Sequence, residues 1–176
     1  FNFTTDESTP EYEQVAIDPE MLGRVFESLL ASQVEATGEQ ARKAKGAFYT
    51  PRELVFFMCT ESIKEYLRNQ VEGDAKSLSA IEKLVDTSDQ DWVRAGSNSL
   101  RDIGVEQRAK ISASLYRLRS LDPACGSGAF PMGMLHILAK LHLRLEPKLD
   151  TYKLKLSILQ NNIFGVDIEP MAVEIH

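Results

Sequence analysis

Two acidic residues and two glycines stand at positions where they could bind a ligand. Asp122 and Asp167 each come at the end of an apolar stretch, and Gly126 and Gly128 lie between the first stretch and an amphipathic helix. In an α/β sheet, ligands bind outside the carboxyl ends of parallel strands, where helix N-termini offer free backbone N–H groups. Glycine lets a ligand approach the main chain closely and tolerates positive φ. The pattern predicts a ligand-binding site formed by two carboxylates at strand ends and by the main chain of the glycine turn.

The two carboxylates indicate what kind of ligand would fit. A carboxylate at Asp122 can accept hydrogen bonds from an ammonium group, and one at Asp167 can accept two from vicinal ribose hydroxyls. We therefore expect a nucleoside that carries a positive group.

The sequence does not match two commoner glycine-rich loops. Gly128 and Gly133 are spaced as in a phosphate-binding P-loop, but a methionine stands where the lysine is required. A dinucleotide-binding fingerprint needs a third glycine where Pro131 stands, and its ribose-binding acid about 20 residues later. Asp167 lies 41 residues after Gly126. A ligand without phosphates fits better.

The periodicity of apolar residues predicts the elements that hold these groups. One helix is expected after Asp18-Pro19, a second after Pro51, and short helices at 77–85, within 87–99 and at 104–116. A strand is predicted over 114–121, then helices from 129 to about 145 and over 151–159, then a strand over 162–168. The predicted fold is α/β: an N-terminal helical part followed by the first β-α-β of a doubly wound, Rossmann-like sheet with a right-handed crossover, truncated. The predicted parts are residues 1–45, 46–116 and 117–176.

Composition narrows the class of protein. The 176 residues are 43% apolar, enough for a buried core, and 20 Lys and Arg stand against 26 Asp and Glu. The net charge of -6 does not indicate a nucleic-acid or membrane-surface binder. No signal peptide and no long apolar run is present, so no membrane association is expected.

The cysteines and histidines make no metal site. Cys59 and Cys125 form neither a disulfide framework nor a metal-ligand spacing, which fits a reducing cytoplasm. His136 and His142 are spaced so that they face different sides of a helix, and packing or surface roles are expected for both. Cys125 is interpreted as a small packing residue because no His or Asn lies near it in the sequence.

Three motifs carry a resemblance to a known family. DPACGSGAF (122–130) resembles the S-adenosylmethionine motif of adenine-N6 DNA methyltransferases, and GAFYTP (46–51) resembles their companion cofactor motif in the group that carries it N-terminally. FGVDIEPMAVEI (164–175) is similar to their acidic segment after the second strand. The stretch DPEMLGRVFESLL (18–30) is similar to the fused restriction-modification and phage-defence branch. The resemblance covers roughly residues 11–176.

The resemblance implies methyl transfer from S-adenosylmethionine to adenine N6 in duplex DNA, within a restriction-modification (type IIG-like) or phage-defence enzyme. Asp122 and the loop would hold the methionine end of the cofactor, Asp167 the ribose hydroxyls and Ile168 the adenine. Phe48, Tyr49 and Thr50 would cover the carboxylate side of the cofactor. The implied cofactor-binding residues are Phe48, Tyr49, Thr50, Asp122, Ala124, Cys125, Gly126, Ser127, Gly128, Asp167 and Ile168; no metal is implied.

The family's catalytic segment, (Asn/Asp/Ser)-Pro-Pro-(Tyr/Phe), is not found, because no Pro-Pro occurs in the sequence. We therefore expect the chain to be a piece of a larger enzyme, inactive alone, with DNA contacted mainly through other regions. Two alternatives stay open: a noncatalytic S-adenosylmethionine-binding or assembly module, and a nicotinamide-dependent oxidoreductase.

Some of these residues also have plainer interpretations. Phe48 and Tyr49 could be core aromatics, and Thr50 could be the N-cap of the helix after Pro51. A basic run at 42–45 is better interpreted as a solvated loop than as a phosphate contact. Trp92 and Tyr116 are expected in the core of the helical part.

Overall fold

The computed structural model describes residues 25, 50–71, 74–96, 103–126 and 128–168. Over these residues the chain is mostly helical, with a two-stranded parallel sheet, and its class is α/β. In chain order the elements are α1 (Arg52–Gln70), α2 (Ala75–Asp86), α3 (Asp89–Ala95), α4 (Val105–Arg117), β1 (Ser120–Asp122), α5 (Ala129–Leu145), α6 (Thr151–Asn161) and β2 (Ile163–Gly165).

Side-chain caps fix where three of the helices begin. The Asp74 carboxylate accepts from the backbone N–H of Lys76 at the start of α2, and the Asp150 carboxylate accepts from Lys153 at the start of α6. Ser88 accepts from the N–H of Asp91 at 3.1 Å before α3. Each cap satisfies a backbone donor that has no partner within its helix, which sets the helix boundary.

The core lies where α1 crosses α5, the most extensive contact between helices described. Gly133 of α5 makes this close approach possible, since a Cβ at that position would lie 2.7 Å from Cγ1 of Val55 and 3.4 Å from Sγ of Cys59. Buried apolar side chains from α1, α2, α4, α5 and α6 continue the core. The fully buried ones include Ile63, Leu67, Ile81, Leu84, Ile111, Leu115, Leu138 and Leu141.

A buried arginine joins the helices at the end of α5. The Arg144 guanidinium donates to the carbonyls of Leu84 (2.6 Å) and Thr87 (2.8 Å) and to Oδ1 of Asp89 (2.6 Å). It also lies 4.7 Å from the ring centroid of Trp92. One side chain therefore holds the end of α2 and the first turn of α3 against α5.

The sheet is anchored by Asn162. The strands pair in parallel, with Ser120, Leu121 and Asp122 opposite Ile163, Phe164 and Gly165. The buried Asn162 side-chain amide donates to the backbone carbonyls of Leu118 at 2.7 Å and Leu115 at 3.3 Å. The backbone carbonyl of Asn162 accepts from the N–H of Ser120 at 2.7 Å. The end of α4 and the first residues of both strands are thus tied together.

Most of the predicted helices are confirmed, whereas the strand at 114–121 is wrong over its first half. Helix α4 continues to Arg117, because Ile111, Ser114 and Leu118 follow helical spacing into the core, and β1 begins at Ser120. The second strand is three residues long rather than seven.

Two smaller expectations are also corrected. Thr50 is not the N-cap of α1, since Pro51 takes that position without a side-chain hydrogen bond. Tyr116 is not in the core; 47% of its surface is exposed, and its ring centroid lies 4.3 Å from that of His142. Trp92 packs against the core as expected.

The predicted Asp18-Pro19 helix lies outside the described residues. The division at 1–45, 46–116 and 117–176 and the doubly wound arrangement stay predictions. Across the described ranges, none of the helices has the length and apolar character needed to cross a membrane.

Candidate functional site

The turn between β1 and α5 is built on two glycines with positive φ. Gly126 has φ +52° and Gly128 has φ +80°, both in the left-handed region that favours glycine. The turn is closed by the N–H of Gly128, which donates to the carbonyl of Cys125 at 2.8 Å. A Cβ on Gly126 would meet no atom within 4 Å, so open space lies beside this part of the main chain.

Backbone hydrogen bonds fasten this turn to the end of β2. The N–H of Val166 donates to the carbonyl of Asp122 at 2.9 Å, and the N–H of Cys125 donates to the carbonyl of Val166 at 3.0 Å. The N–H of Gly126 then donates to Oδ2 of Asp167 at 2.7 Å. The two strand ends and the glycine turn therefore form one connected unit.

Asp122 has one satisfied and one unsatisfied carboxylate oxygen. Its Oδ1 accepts from the N–H of Ala124 at 3.0 Å, which turns the chain out of β1. Its Oδ2 is buried and has no hydrogen-bond partner in the described part of the chain. A buried acceptor without a partner is costly, so this oxygen marks a place where a donor from a ligand would be stabilising.

Cys125 packs beneath the turn. Its Sγ would lie 3.1 Å from a Cβ at Gly165, so the thiol fills the space left by that glycine. Burial, followed by the charges of Asp167 and Asp122, raises the pKa of the Cys125 thiol. A thiol kept protonated is a poor nucleophile, which supports the interpretation of Cys125 as a packing residue.

A cavity of about 290 Å³ lies between α1, the start of α5 and the two strands. Asp122 and Pro123 line one wall, and Met58, Cys59 and Ser62 of α1 line the other. Its remaining lining residues are Ser120, Leu121, Phe130, Pro131, Met134, Ile163 and Phe164. The cavity is mainly apolar and has the Asp122 carboxylate at its edge.

Cys59 is the titratable group on the α1 wall of this cavity. Burial, with a smaller effect of the Asp122 charge, raises the pKa of its thiol to about 11. Its Sγ lies 3.8 Å from the carbonyl of Phe130 in the first turn of α5. The thiol is protonated at neutral pH and acts as part of the contact between α1 and α5.

Sequence reasoning missed the α1 residues of the cavity and the role of Gly133. The spacing of Met58, Cys59 and Ser62 fits the helix predicted after Pro51, but no spacing rule relates these residues to Asp122. The glycine in the middle of an apolar helix was the available signal, since such a glycine often marks a close approach of another element.

The structure brings six of the predicted residues to one turn. These are Asp122, Ala124, Cys125, Gly126, Gly128 and Asp167. Ile168 follows directly, with 88% of its surface exposed. Thr50 precedes α1, while Phe48, Tyr49 and Ser127 lie outside the described residues. Within the described ranges no group of three or more His, Cys, Asp or Glu is placed to hold a metal ion.

Comparison with known proteins finds a relative that aligns with nearly the whole chain. The chain is 30% identical over 187 aligned positions, covering 99% of the chain, to a Methanocaldococcus jannaschii protein named "Putative type II restriction enzyme and methyltransferase". The chain spans 14% of that protein's length. No protein-family profile matches the chain, and no solved structure is similar to it. The similarity relates the chain to one part of a restriction-modification methyltransferase.

Proposed function

We propose that this chain is the cofactor-binding part of an S-adenosylmethionine-dependent DNA methyltransferase that modifies N6 of adenine in duplex DNA, within a restriction-modification or phage-defence enzyme. The observation that carries the proposal is the hydrogen bond from Gly126 to Asp167, which joins a glycine turn to an acid at the end of the neighbouring parallel strand. The similarity to a protein named as a methyltransferase supports it.

The Asp122 carboxylate fits the amino-acid end of this cofactor. Its buried Oδ2 has no partner among the described residues, and an ammonium group would supply a charge-assisted donor. The open space beside Gly126 lets a ligand lie against the main chain. When bound, the cofactor supplies a methyl group on a sulfonium; the residues of this chain bind and orient it.

Asp167 fits the ribose of the same ligand. One of its oxygens already accepts from the N–H of Gly126, and an ionised carboxylate has further lone pairs that can accept from ribose hydroxyls. Ile168 follows with a largely exposed side chain, and an adenine packed against it would remove that apolar surface from water. Phe48, Tyr49, Thr50, Ala124 and Ser127 are proposed to complete the cofactor site.

The target base is proposed to be bound by other parts of the enzyme. The acceptors for the adenine amine and the ring that stacks on a flipped base belong to a Pro-Pro segment that these 176 residues do not contain. The present residues would hold the methyl donor in line with the incoming amine, which lowers the entropic part of the barrier. We likewise propose that the enzyme binds DNA and acts in the cytoplasm.

The experiment is a methylation assay on the full-length protein. Purified enzyme is incubated with duplex DNA and isotopically labelled S-adenosylmethionine, and the digested nucleosides are identified by mass spectrometry. We expect labelled N6-methyladenine, strongly reduced in Asp122→Asn and unchanged in Glu106→Gln, whose exposed ion pair with Lys110 lies on α4.

Three results would contradict the proposal in different ways. Label only in cytosine would contradict the target base. Cofactor binding without transfer to any DNA would favour a noncatalytic module. Binding of NAD in preference to S-adenosylmethionine, measured by calorimetry, would favour an oxidoreductase.

A further inference from the structure

We propose that Gly165 is a positioning residue for the cofactor site. Its missing side chain lets the Cys125 thiol pack beneath the glycine turn, and this contact sets the geometry of the hydrogen bond from Gly126 to Asp167. The ligand is the S-adenosylmethionine of the proposed function, on which this inference rests. Gly165 itself is not among the residues that the family resemblance implies.

Gly165 is the last residue of β2 and pairs with Asp122 at the end of β1. A Cβ on Gly165 would lie 3.1 Å from Sγ and 3.2 Å from Cβ of Cys125. Both distances are shorter than the separation of about 3.5 to 4.0 Å at which carbon atoms attract each other. Alanine at this position would therefore push Cys125 away from β2 by a few tenths of an ångström.

Cys125 has little freedom to move by itself. It is 8% exposed, and its backbone is hydrogen-bonded in both directions. Its N–H donates to the carbonyl of Val166 at 3.0 Å, and its carbonyl accepts from the N–H of Gly128 at 2.8 Å. A displaced side chain would therefore carry the main chain of the turn with it.

Gly126 comes next in the turn, so a displacement of Cys125 reaches it directly. The 2.7 Å bond from the Gly126 N–H to Oδ2 of Asp167 is at the short end of the range for a charge-assisted bond, and such bonds weaken as they lengthen and bend. Burial, and then the charges of Asp167 and Asp122, raise the pKa of the Cys125 thiol, so both carboxylates lie near it. Moving this side chain therefore alters the surroundings of both acids proposed to bind the cofactor.

The first test needs no ligand. Hydrogen exchange at single-residue resolution in the full-length protein compares the Gly126 amide in the wild type, in Gly165→Ala and in Ile81→Val. The Ile81 change removes one methylene from the buried core at α2 and lowers Tm. We expect exchange at Gly126 to be about 10-fold faster in Gly165→Ala alone, as for one weakened hydrogen bond. Equal Gly126 rates in the wild type and Gly165→Ala, or the same acceleration in Ile81→Val, would overturn the positioning role.

The second test measures cofactor affinity by isothermal titration calorimetry of the full-length protein. Gly165→Ala should bind S-adenosylmethionine about 10-fold more weakly. Cys125→Ala in the same chain removes the Sγ that meets the new methyl group, so the double variant should recover affinity relative to Gly165→Ala. The matched control is Gly104→Ala before α4, whose new methyl group meets only the flexible end of Gln107, and its affinity should be unchanged.

Failure of this inference and failure of the proposed function give different results. If the wild type does not bind S-adenosylmethionine, the proposed function is contradicted, and the exchange test still decides the contact at Gly165. Wild-type binding with equal affinity in Gly165→Ala, or a double variant that binds no more tightly than Gly165→Ala, would overturn the inference. Cys125→Val enlarges the other side of the same contact and should repeat both losses, so it replaces Gly165→Ala if that variant does not fold.

Discussion

The backbone N–H of Gly126 donates a 2.7 Å hydrogen bond to Oδ2 of Asp167, 41 residues later in the chain. This bond joins the turn after β1 to the end of β2 at the place where a ligand of an α/β sheet is expected. Asp167 therefore shapes the glycine turn, and we propose that its carboxylate also binds a ligand. Substitutions that keep one role and remove the other distinguish them.

Asp167→Ala should weaken S-adenosylmethionine binding to the full-length protein by about 10- to 150-fold, the usual range for lost hydrogen bonds to a charged group. Asp167→Asn should lose less affinity, because its amide oxygen can still accept from Gly126. Isothermal titration calorimetry measures both. An unchanged affinity in Asp167→Ala would remove this residue from the site.

Gly133→Ala should destabilise the protein by about 1 to 3 kcal/mol, although alanine is the better helix former. Its Cβ would lie 2.7 Å from Cγ1 of Val55, so α1 and α5 must move apart. Val55→Ala removes the clashing atom. In a double-mutant cycle measured by urea unfolding, the two changes together should cost less than the sum of the single changes. Strict additivity would contradict the proposed clash.

His142 should make the free energy of unfolding depend on pH below about 6.5. Its ring is buried, and neither nitrogen has a partner in the part of the chain described. Burial lowers the pKa of His142 from 6.5, with the Glu146 carboxylate opposing the shift, and the Tyr116 ring covers it. The unfolded state therefore binds the proton more readily. Stability is complete above pH 6.5 and falls below it.

The loss should reach a slope of up to about 1.4 kcal/mol per pH unit for this single group. Denaturant unfolding between pH 7.5 and 5.5 measures it. His142→Phe keeps a ring beside Tyr116 and should remove this part of the slope. An identical pH dependence in both proteins would show that His142 is not its source.

Arg144→Lys should cost about 3 kcal/mol of unfolding free energy, because an ammonium cannot replace the planar fork that reaches Leu84, Thr87 and Asp89. The matched control is Arg94→Lys, since Arg94 pairs with Asp91 on an exposed part of α3. Its effect should stay within about 0.5 kcal/mol. Comparable losses in the two variants, by thermal or urea unfolding, would contradict the buried role of Arg144.

Most of the helices could be predicted from the sequence, because capping residues and apolar stripes depend on residues only one or two helical turns apart. Ser88 with Asp91, and Asp150 before α6, are boundaries of that kind. The first half of the strand predicted at 114–121 was wrong because a short apolar and polar alternation also occurs on a helix that is buried along one side. Only the 3.6-residue period of a helix places the buried residues on one side; these are Ile111, Ser114, Leu115 and Leu118.

The glycine turn and its two acids were predictable from residue types and order, since both follow from what strand ends and helix starts require. The cavity was not, because Cys59 and Met58 reach Asp122 only through the packing of α1 on α5. The close packing of α1 on α5 depends on the absence of a side chain at Gly133. Residue spacing in the sequence does not show which helix packs against this glycine.

The buried Asn162 side chain also has a consequence for the order of folding. It reaches back 44 residues to the carbonyl of Leu118, so the sheet can close only after the chain between them has been brought into a compact loop. The entropy of that loop must be lost before β1 and β2 gain any pairing, whereas each helix can form from near neighbours. We infer that the helices assemble first and that the glycine turn after β1 takes its final shape in the last step of folding.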